Sequence, residues 1–329
     1  MGGEEEDDFA CSPPPGPPPL LSEEQLLHLA RQGWLSLPLP QNLLKTVGNL
    51  FKSSTRFFEL TEREKAELYP SKSGTEFGFY TVPNEKEYIT FRCRIHTGYQ
   101  PRLSSPQLPL VQDLEDNAAR AWQEGALLLW RILCDITRWS DLDLSIWNDI
   151  LDGTQTMPES RKRLPYTLLR VFRYSPATGF AEKHTDLGLL TICIGDRGGL
   201  EVLDRLKSTD DKPVWIDSRT EPRAATILVG QTLKALSNGM LSPGIHRVVE
   251  NLSGRNSVVF ALRHSPKHAV DFSLFGGQGC VSAKDLWKFI QVGKVNINSI
   301  KERRDAQRAR HEAERLAMGN HQGWDVCRG

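Results

Sequence analysis

Apolar and polar positions change their period along this chain, and the changes mark its elements. Ser22-Glu-Glu-Gln25-Leu-Leu opens a helix, with Ser22 as the N-cap and Gln25 in the capping-box position. Gly33-Trp-Leu-Ser-Leu-Pro reads as a short strand. Over residues 41–58, Leu43, Leu44, Val47, Leu50 and Phe51 recur at helical spacing, and Thr61-Glu-Arg-Glu64 repeats the capping box before another helix. Both helices are expected to brace a sheet. Residues 75–97 are aromatic and mixed in charge, and residues 118–152 predict a long amphipathic helix or a pair, with tryptophans as core packing. From about 164 to 274 the pattern becomes short apolar runs separated by Gly, Pro, Asp and Asn, which predicts antiparallel strands. Ser282 caps a further helix, and residues 301–318 alternate Arg, Glu and Ala as a largely solvated one.

These patterns imply a mainly β fold with flanking helices, of the α+β kind. The expected division is a tail over 1–20, a helical and strand region over 21–163 that braces and caps the core, a β core over 164–275, and C-terminal helices and tail over 276–329. The tail joins an acidic block to Pro13-Pro-Pro-Gly-Pro-Pro-Pro19, a composition that buries too little apolar surface to order itself. Lys+Arg and Asp+Glu both number 41, so no global field draws nucleic acid or an anionic membrane. The six cysteines are widely spaced without a Cys-x-x-Cys pair, which argues against zinc ribbons and disulfide scaffolds. The acidic start has no apolar block behind it and no stretch approaches a membrane span, so a cytoplasmic, monomeric enzyme is expected.

The candidate chemistry lies in the β region. His184-Thr-Asp186 places an imidazole and a carboxylate at i and i+2, which share a face in a strand, and His246 opens a later strand. Two imidazoles and one carboxylate form the facial set that holds non-haem Fe(II) and leaves positions open for substrate atoms and O2. Arg255-Asn-Ser257 repeats the i, i+2 spacing nine residues after His246 and can grip a dicarboxylate.

On these residues, with Arg173-Tyr174-Ser-Pro176, Gly199-Leu-Glu-Val202, Ser237-Asn-Gly239 and His246-Arg-Val, residues 168–263 resemble the isopenicillin N synthase-like branch of the Fe(II)/2-oxoglutarate-dependent oxygenases. Gly33-Trp-Leu-Ser-Leu and Gly78-Phe79-Tyr80 extend the resemblance upstream, to about residues 22–295. One departure is Gly230-Gln231, where the family usually has Gly-Asp; that Asp is not an iron ligand. The resemblance implies a double-stranded β-helix, a jelly roll whose mouth holds the metal. It implies His184, Asp186 and His246 as iron ligands, Arg255 and Ser257 on the distal carboxylate of 2-oxoglutarate, and Tyr174 turned toward the same group. The reaction implied is oxidation of a C–H bond by O2, with release of succinate and CO2. The substrate expected is a small molecule, a secondary-metabolite precursor, with Phe77, Phe79, Tyr80, Arg92 and Arg94 as pocket-rim residues. Two rival readings are an oxidase that uses the same triad without 2-oxoglutarate and a metal-free binding protein.

Overall fold

The computed structural model describes residues 16–71, 76–96, 107–218 and 223–317. Its strands are β1 (Trp34–Pro38), β2 (Gly78–Val82), β3 (Lys86–Phe91), β4 (Leu168–Tyr174), β5 (Ala181–His184), β6 (Leu190–Gly195), β7 (Leu200–Leu203), β8 (Trp215–Asp217), β9 (Ala224–Val229), β10 (His246–Val248), β11 (Arg255–Leu262), β12 (Val270–Asp271) and β13 (Cys280–Val281). The helices are α1 (Glu23–Gln32), α2 (Gln41–Phe58), α3 (Glu62–Leu68), α4 (Leu108–Trp139), α5 (Trp147–Leu151), α6 (Gln231–Leu236), α7 (Ala283–Gln291) and α8 (Lys301–Ala317). Residues 1–15 of the expected tail, parts of the 75–97 segment and everything after 317 lie outside the described residues.

Both capping boxes form, at Ser22 with Gln25 and at Thr61 with Glu64. The sheets are antiparallel throughout, a seven-stranded one ordered β1-β9-β6-β11-β4-β3-β2 facing a four-stranded one ordered β5-β10-β7-β8. This is the jelly-roll core. β1, β2 and β3, from the region before residue 164, pair directly into its larger sheet.

Strand alternation divides the apolar side chains between two cores. On β4, Leu169 and Val171 face the helices, whereas Phe172 and Tyr174 face the space between the sheets. On β11, Val258, Phe260 and Leu262 take the helical side, where the fully buried Trp122 of α4 meets Phe260 at 5.3 Å between ring centroids. A long helix and a short one fill the expected 118–152 helix or pair, and the long one begins ten residues earlier, with Pro109 in its first turn, where a missing N–H costs nothing. It ends at Trp139, and a short 3-10 turn leads into α5.

The chain then returns across the barrel mouth. Between α7 and α8, the Ile297 carbonyl accepts from Lys86 Nζ at 3.3 Å and the Asn298 carbonyl from the Tyr88 hydroxyl at 3.0 Å. α8 is solvated as expected except at Arg304, only 1% exposed, which pairs with Glu85 at 2.7 Å and Glu182 at 3.0 Å. Breaking a buried pair of this kind leaves an uncompensated charge and costs about 3–5 kcal/mol, so this anchor fixes the return segment over the mouth.

Candidate metal and co-substrate site

β5 and β10 are neighbours, and their register sets His184 opposite His246 with ring centroids 4.0 Å apart. Asp186 is not on the strand as expected: β5 ends at His184, and Asp186 occupies the turn that follows. That turn is braced from α6. Gln231 N donates to the Asp186 carbonyl at 2.8 Å, and Gln231 Nε2 donates to Thr185 Oγ1 at 2.8 Å, so the departure residue supports the segment between the two ligands. Gly230 permits this approach, since a Cβ there would stand 2.6 Å from the Gly188 carbonyl carbon.

One ligand atom from each of His184, Asp186 and His246 lies within 4.8 Å of the others. His184 Nδ1 donates to the Glu182 carbonyl at 2.7 Å and His246 Nδ1 to the Gly244 carbonyl at 3.2 Å. A carbonyl only accepts, so both Nδ1 atoms carry the proton and both Nε2 lone pairs are free for a metal. Burial, and then the neighbouring His246, hold His184 well below its ordinary pKa and therefore neutral. Burial opposes ionisation of Asp186, yet its carboxyl is held below its usual range, by His246 and His184 when either ring is protonated and by the Thr191 hydroxyl and Arg263 when both are neutral. Its Oδ2 is buried without a hydrogen-bond partner among the described residues. An orphaned anionic oxygen beside two free imidazole lone pairs fits a divalent cation.

Arg255 and Ser257 are both buried on β11, and Arg255 pairs in register with Tyr174 of β4. Among the described residues the Arg255 guanidinium makes one hydrogen bond, Nε to the Arg197 carbonyl at 3.1 Å, and no ion pair. Burial lowers its pKa. A buried guanidinium with its outer nitrogens unpaired is costly unless a carboxylate arrives, and 2-oxoglutarate carries one. Triad and clamp line a single cavity of about 50 Å³, closed on one side by Ile297 and Asn298. A larger cleft of about 500 Å³ opens on the other side of Tyr174 and Arg255, and none of the three candidate ligands lines it.

The five expected rim residues are not brought to this cavity, whose lining includes none of them among the described residues. Phe79 alternates onto the helical face of β2 and packs against Phe57 at 6.0 Å. Phe77 is buried under Arg161. Tyr80 faces inward but is covered by Tyr88, stacked at 5.2 Å. Arg92 Nε donates to the Pro165 carbonyl at 2.9 Å, and Arg94 lies beyond β3, paired with Asp116 of α4. Besides Arg255, the cation that lines the cavity is Arg170, with Phe172 and Tyr174 on the same face of β4. Its signal was present as an Arg at i and aromatics at i+2 and i+4 of one strand.

A model of the 2OG-Fe(II) oxygenase superfamily matches residues 165–266. The 2-oxoglutarate-dependent dioxygenase iboH of Amanita muscaria (strain Koide BX008) is 34% identical over 145 residues, covering 41% of this chain and 68% of that one. The chain belongs to the 2OG-Fe(II) oxygenase superfamily. This oxygenase is a 2-oxoglutarate-dependent dioxygenase, an oxidoreductase using Fe(II), 2-oxoglutarate and O2, and that reading stands over the oxidase alternative. The homoarginine-6-hydroxylase 2-ODD-233 of Oryza sativa subsp. japonica is 25% identical over 232 residues, 65% of this chain and 67% of that one. In fold the oxygenase is similar to a full-length Neurospora crassa protein solved in complex with alpha-KG and 5-formyluracil: TM-score 0.62, 19% identity, 80% of this chain and 88% of that one. It is also similar to JOX2, solved with 2OG, Fe and JA, at TM-score 0.58 and 18% identity, covering 80% of this chain and 74% of that one. Among the described residues no helix is long and apolar enough to cross a membrane.

Proposed function

We propose that His184, Asp186 and His246 hold the Fe(II), that Arg255 with Ser257 and Tyr174 takes the distal carboxylate of 2-oxoglutarate, and that the substrate is a small secondary-metabolite precursor oxidised at an unactivated C–H bond. The observation that carries this reading is the buried, ion-pair-free Arg255 on the wall of the same cavity as the triad. Bound iron with 2-oxoglutarate supplies the activation of O2, leaving succinate and CO2.

The chain's own residues orient and exclude. The Glu182 and Gly244 carbonyls fix both imidazoles in the tautomer that presents Nε2. Arg255 and Ser257 set the reach of the keto-diacid toward the triad, and burial raises the Tyr174 phenol so that it stays a donor. Ile297 and Asn298 keep bulk water from the reacting centre. A small substrate suits a site that lies between the two sheets rather than on an open face. It also agrees with the thymine and JA bound by similar structures and with the homoarginine in the name of a similar enzyme. The wide spacing of the cysteines in the sequence supports a reducing, cytoplasmic location.

The test is anaerobic addition of Fe(II) and 2-oxoglutarate. A weak visible absorption band is expected in the wild type and should be absent from His184→Ala. Arg255→Ala should need at least tenfold more 2-oxoglutarate to produce it, from two charge-assisted bonds of about 1.5–3 kcal/mol each. A wild type without the band, or an Arg255→Ala variant with an unchanged 2-oxoglutarate requirement, contradicts the assignment.

A further inference from the structure

We propose that Arg170 selects substrates carrying a carboxylate and holds that group on the wall of the iron cavity, an inference that rests on the triad and Arg255 assignments above. Arg170 lies mid-strand on β4, opposite Thr90 of β3 and Val259 of β11, and lines the cavity with His184 and Asp186. It is held rigidly. Nε donates to Thr90 Oγ1 at 3.0 Å, Nη2 donates to Glu76 Oε1 at 2.8 Å, and the guanidinium lies over the Tyr88 ring at 5.8 Å. Nη1 makes no hydrogen bond among the described residues.

The charge around Glu76 does not balance. Its second oxygen accepts from Arg263 Nη1 at 2.8 Å, so two guanidiniums share one carboxylate. Burial would raise the Glu76 carboxyl, yet Arg263 and Arg170 hold it far below its usual range, so it is fully ionised and still outnumbered. Arg263 Nε is itself buried without a partner. A purely structural ion network would neutralise its cations, because unpaired buried charge is costly. Here two guanidiniums divide the hydrogen bonds of one carboxylate, Asp186 acts on Arg170 only through space and is assigned to the metal, and an incoming carboxylate would pair with the Nη1 that Arg170 leaves unbonded among the described residues.

The other cations on the inner face are committed elsewhere. Arg255 is assigned to the co-substrate, and Lys86 Nζ already donates to the Phe180 and Ile297 carbonyls at 3.2 and 3.3 Å. Arg170 therefore remains for the substrate. Its planar fork matches a carboxylate, and Phe172, next on the same strand face, offers an apolar surface for the rest of the molecule.

The experiment uses the full chain loaded anaerobically with Fe(II) and saturating 2-oxoglutarate, so that Arg255 is occupied, and reads binding heat by calorimetry. The probes are matched acid and amide pairs: phenylacetate with phenylacetamide, cinnamate with cinnamamide, and cyclohexanecarboxylate with its carboxamide. At least one acid should bind about tenfold more tightly than its amide. Arg170→Met should reduce that preference to less than about threefold, and Arg170→Lys should restore part of it, since an ammonium keeps the charge without the fork. If no acid outbinds its amide in the wild type, whether neither binds or both bind alike, the proposal fails. It fails equally if the preference survives in Arg170→Met, or in Arg170→Gln should the methionine variant not fold. The prior 2-oxoglutarate titration separates the two levels: normal co-substrate binding with no acid preference overturns this inference alone, whereas absent co-substrate binding overturns the site on which it rests.

Discussion

Gly195→Ala tests the co-substrate clamp without touching any residue that bonds to it. Gly195 ends β6 opposite Ser257, and the Arg255 guanidinium lies across it: a Cβ at 195 would stand 2.7 Å from Arg255 Cζ and 2.8 Å from Nε. Carbon atoms in ordinary contact sit about 3.5–4.0 Å apart, so the guanidinium would have to move by on the order of 1 Å. Arg255 is 5% exposed and tied to the Arg197 carbonyl, so the displaced group can move only toward the cleft beyond Tyr174, away from the triad. A shift of that size removes one limb of a bidentate grip, about 1.5–3 kcal/mol. That corresponds to a roughly ten- to hundredfold rise in the 2-oxoglutarate requirement. The assay is succinate formation against 2-oxoglutarate concentration, with a parallel Fe(II) titration. The reasoning is refuted if the 2-oxoglutarate requirement does not change, or if Fe(II) affinity falls in step with it, since Gly195 does not line the triad's cavity.

Asp186→Ala should lose both turnover and stoichiometric iron, read by colorimetric iron analysis after anaerobic loading and desalting. Gln231→Ala removes the support under Thr185 and should cost roughly tenfold in Fe(II) affinity, seen by titration, while the thermal midpoint moves little. His264 is fully buried, and burial lowers its pKa to about 4, from an ordinary value of 6.5. The unfolded chain therefore binds the extra proton between those values, and folding stability is complete above pH 6.5 and lost as pH falls toward 4. Urea unfolding should show roughly 1.5 kcal/mol less stability at pH 5 than at pH 6.5 from this group, a slope that His264→Gln should flatten.

The helices of the N-terminal region were readable because each presents one apolar stripe to the sheet and carries its start signal in its own residues, as at Ser22 with Gln25 and Thr61 with Glu64. The β2–β3 hairpin was not. Residues 86–91 are almost all buried, since helices cover one face and the second sheet the other, so the polar/apolar alternation that announces a half-exposed strand is missing. The expected rim residues lie away from the triad's cavity for a related reason. Choosing Phe77, Phe79, Arg92 and Arg94 by residue type ignored which face each would take, and the sheet turns Phe79 to the helices while Arg94 pairs onto α4. The i, i+2 rule placed Arg255 and Ser257 together on β11, where the strand is continuous, but not Asp186, which the turn beyond β5 positions through contacts with Gly188, Gly230 and Gln231. Nor could a local pattern show that Ile297 and Asn298 close the cavity, because that contact depends on Arg304 reaching Glu85 and Glu182 far away in sequence.

The central claim is that one cavity holds both the ferrous ion and its keto-diacid. Anomalous diffraction at the iron edge, from crystals grown anaerobically with Fe(II) and 2-oxoglutarate, tests it most directly. A single iron peak bounded by His184, Asp186 and His246, with the distal carboxylate of 2-oxoglutarate on Arg255, is the result expected. Iron at any other position, or 2-oxoglutarate bound in the larger cleft beyond Tyr174, would contradict it.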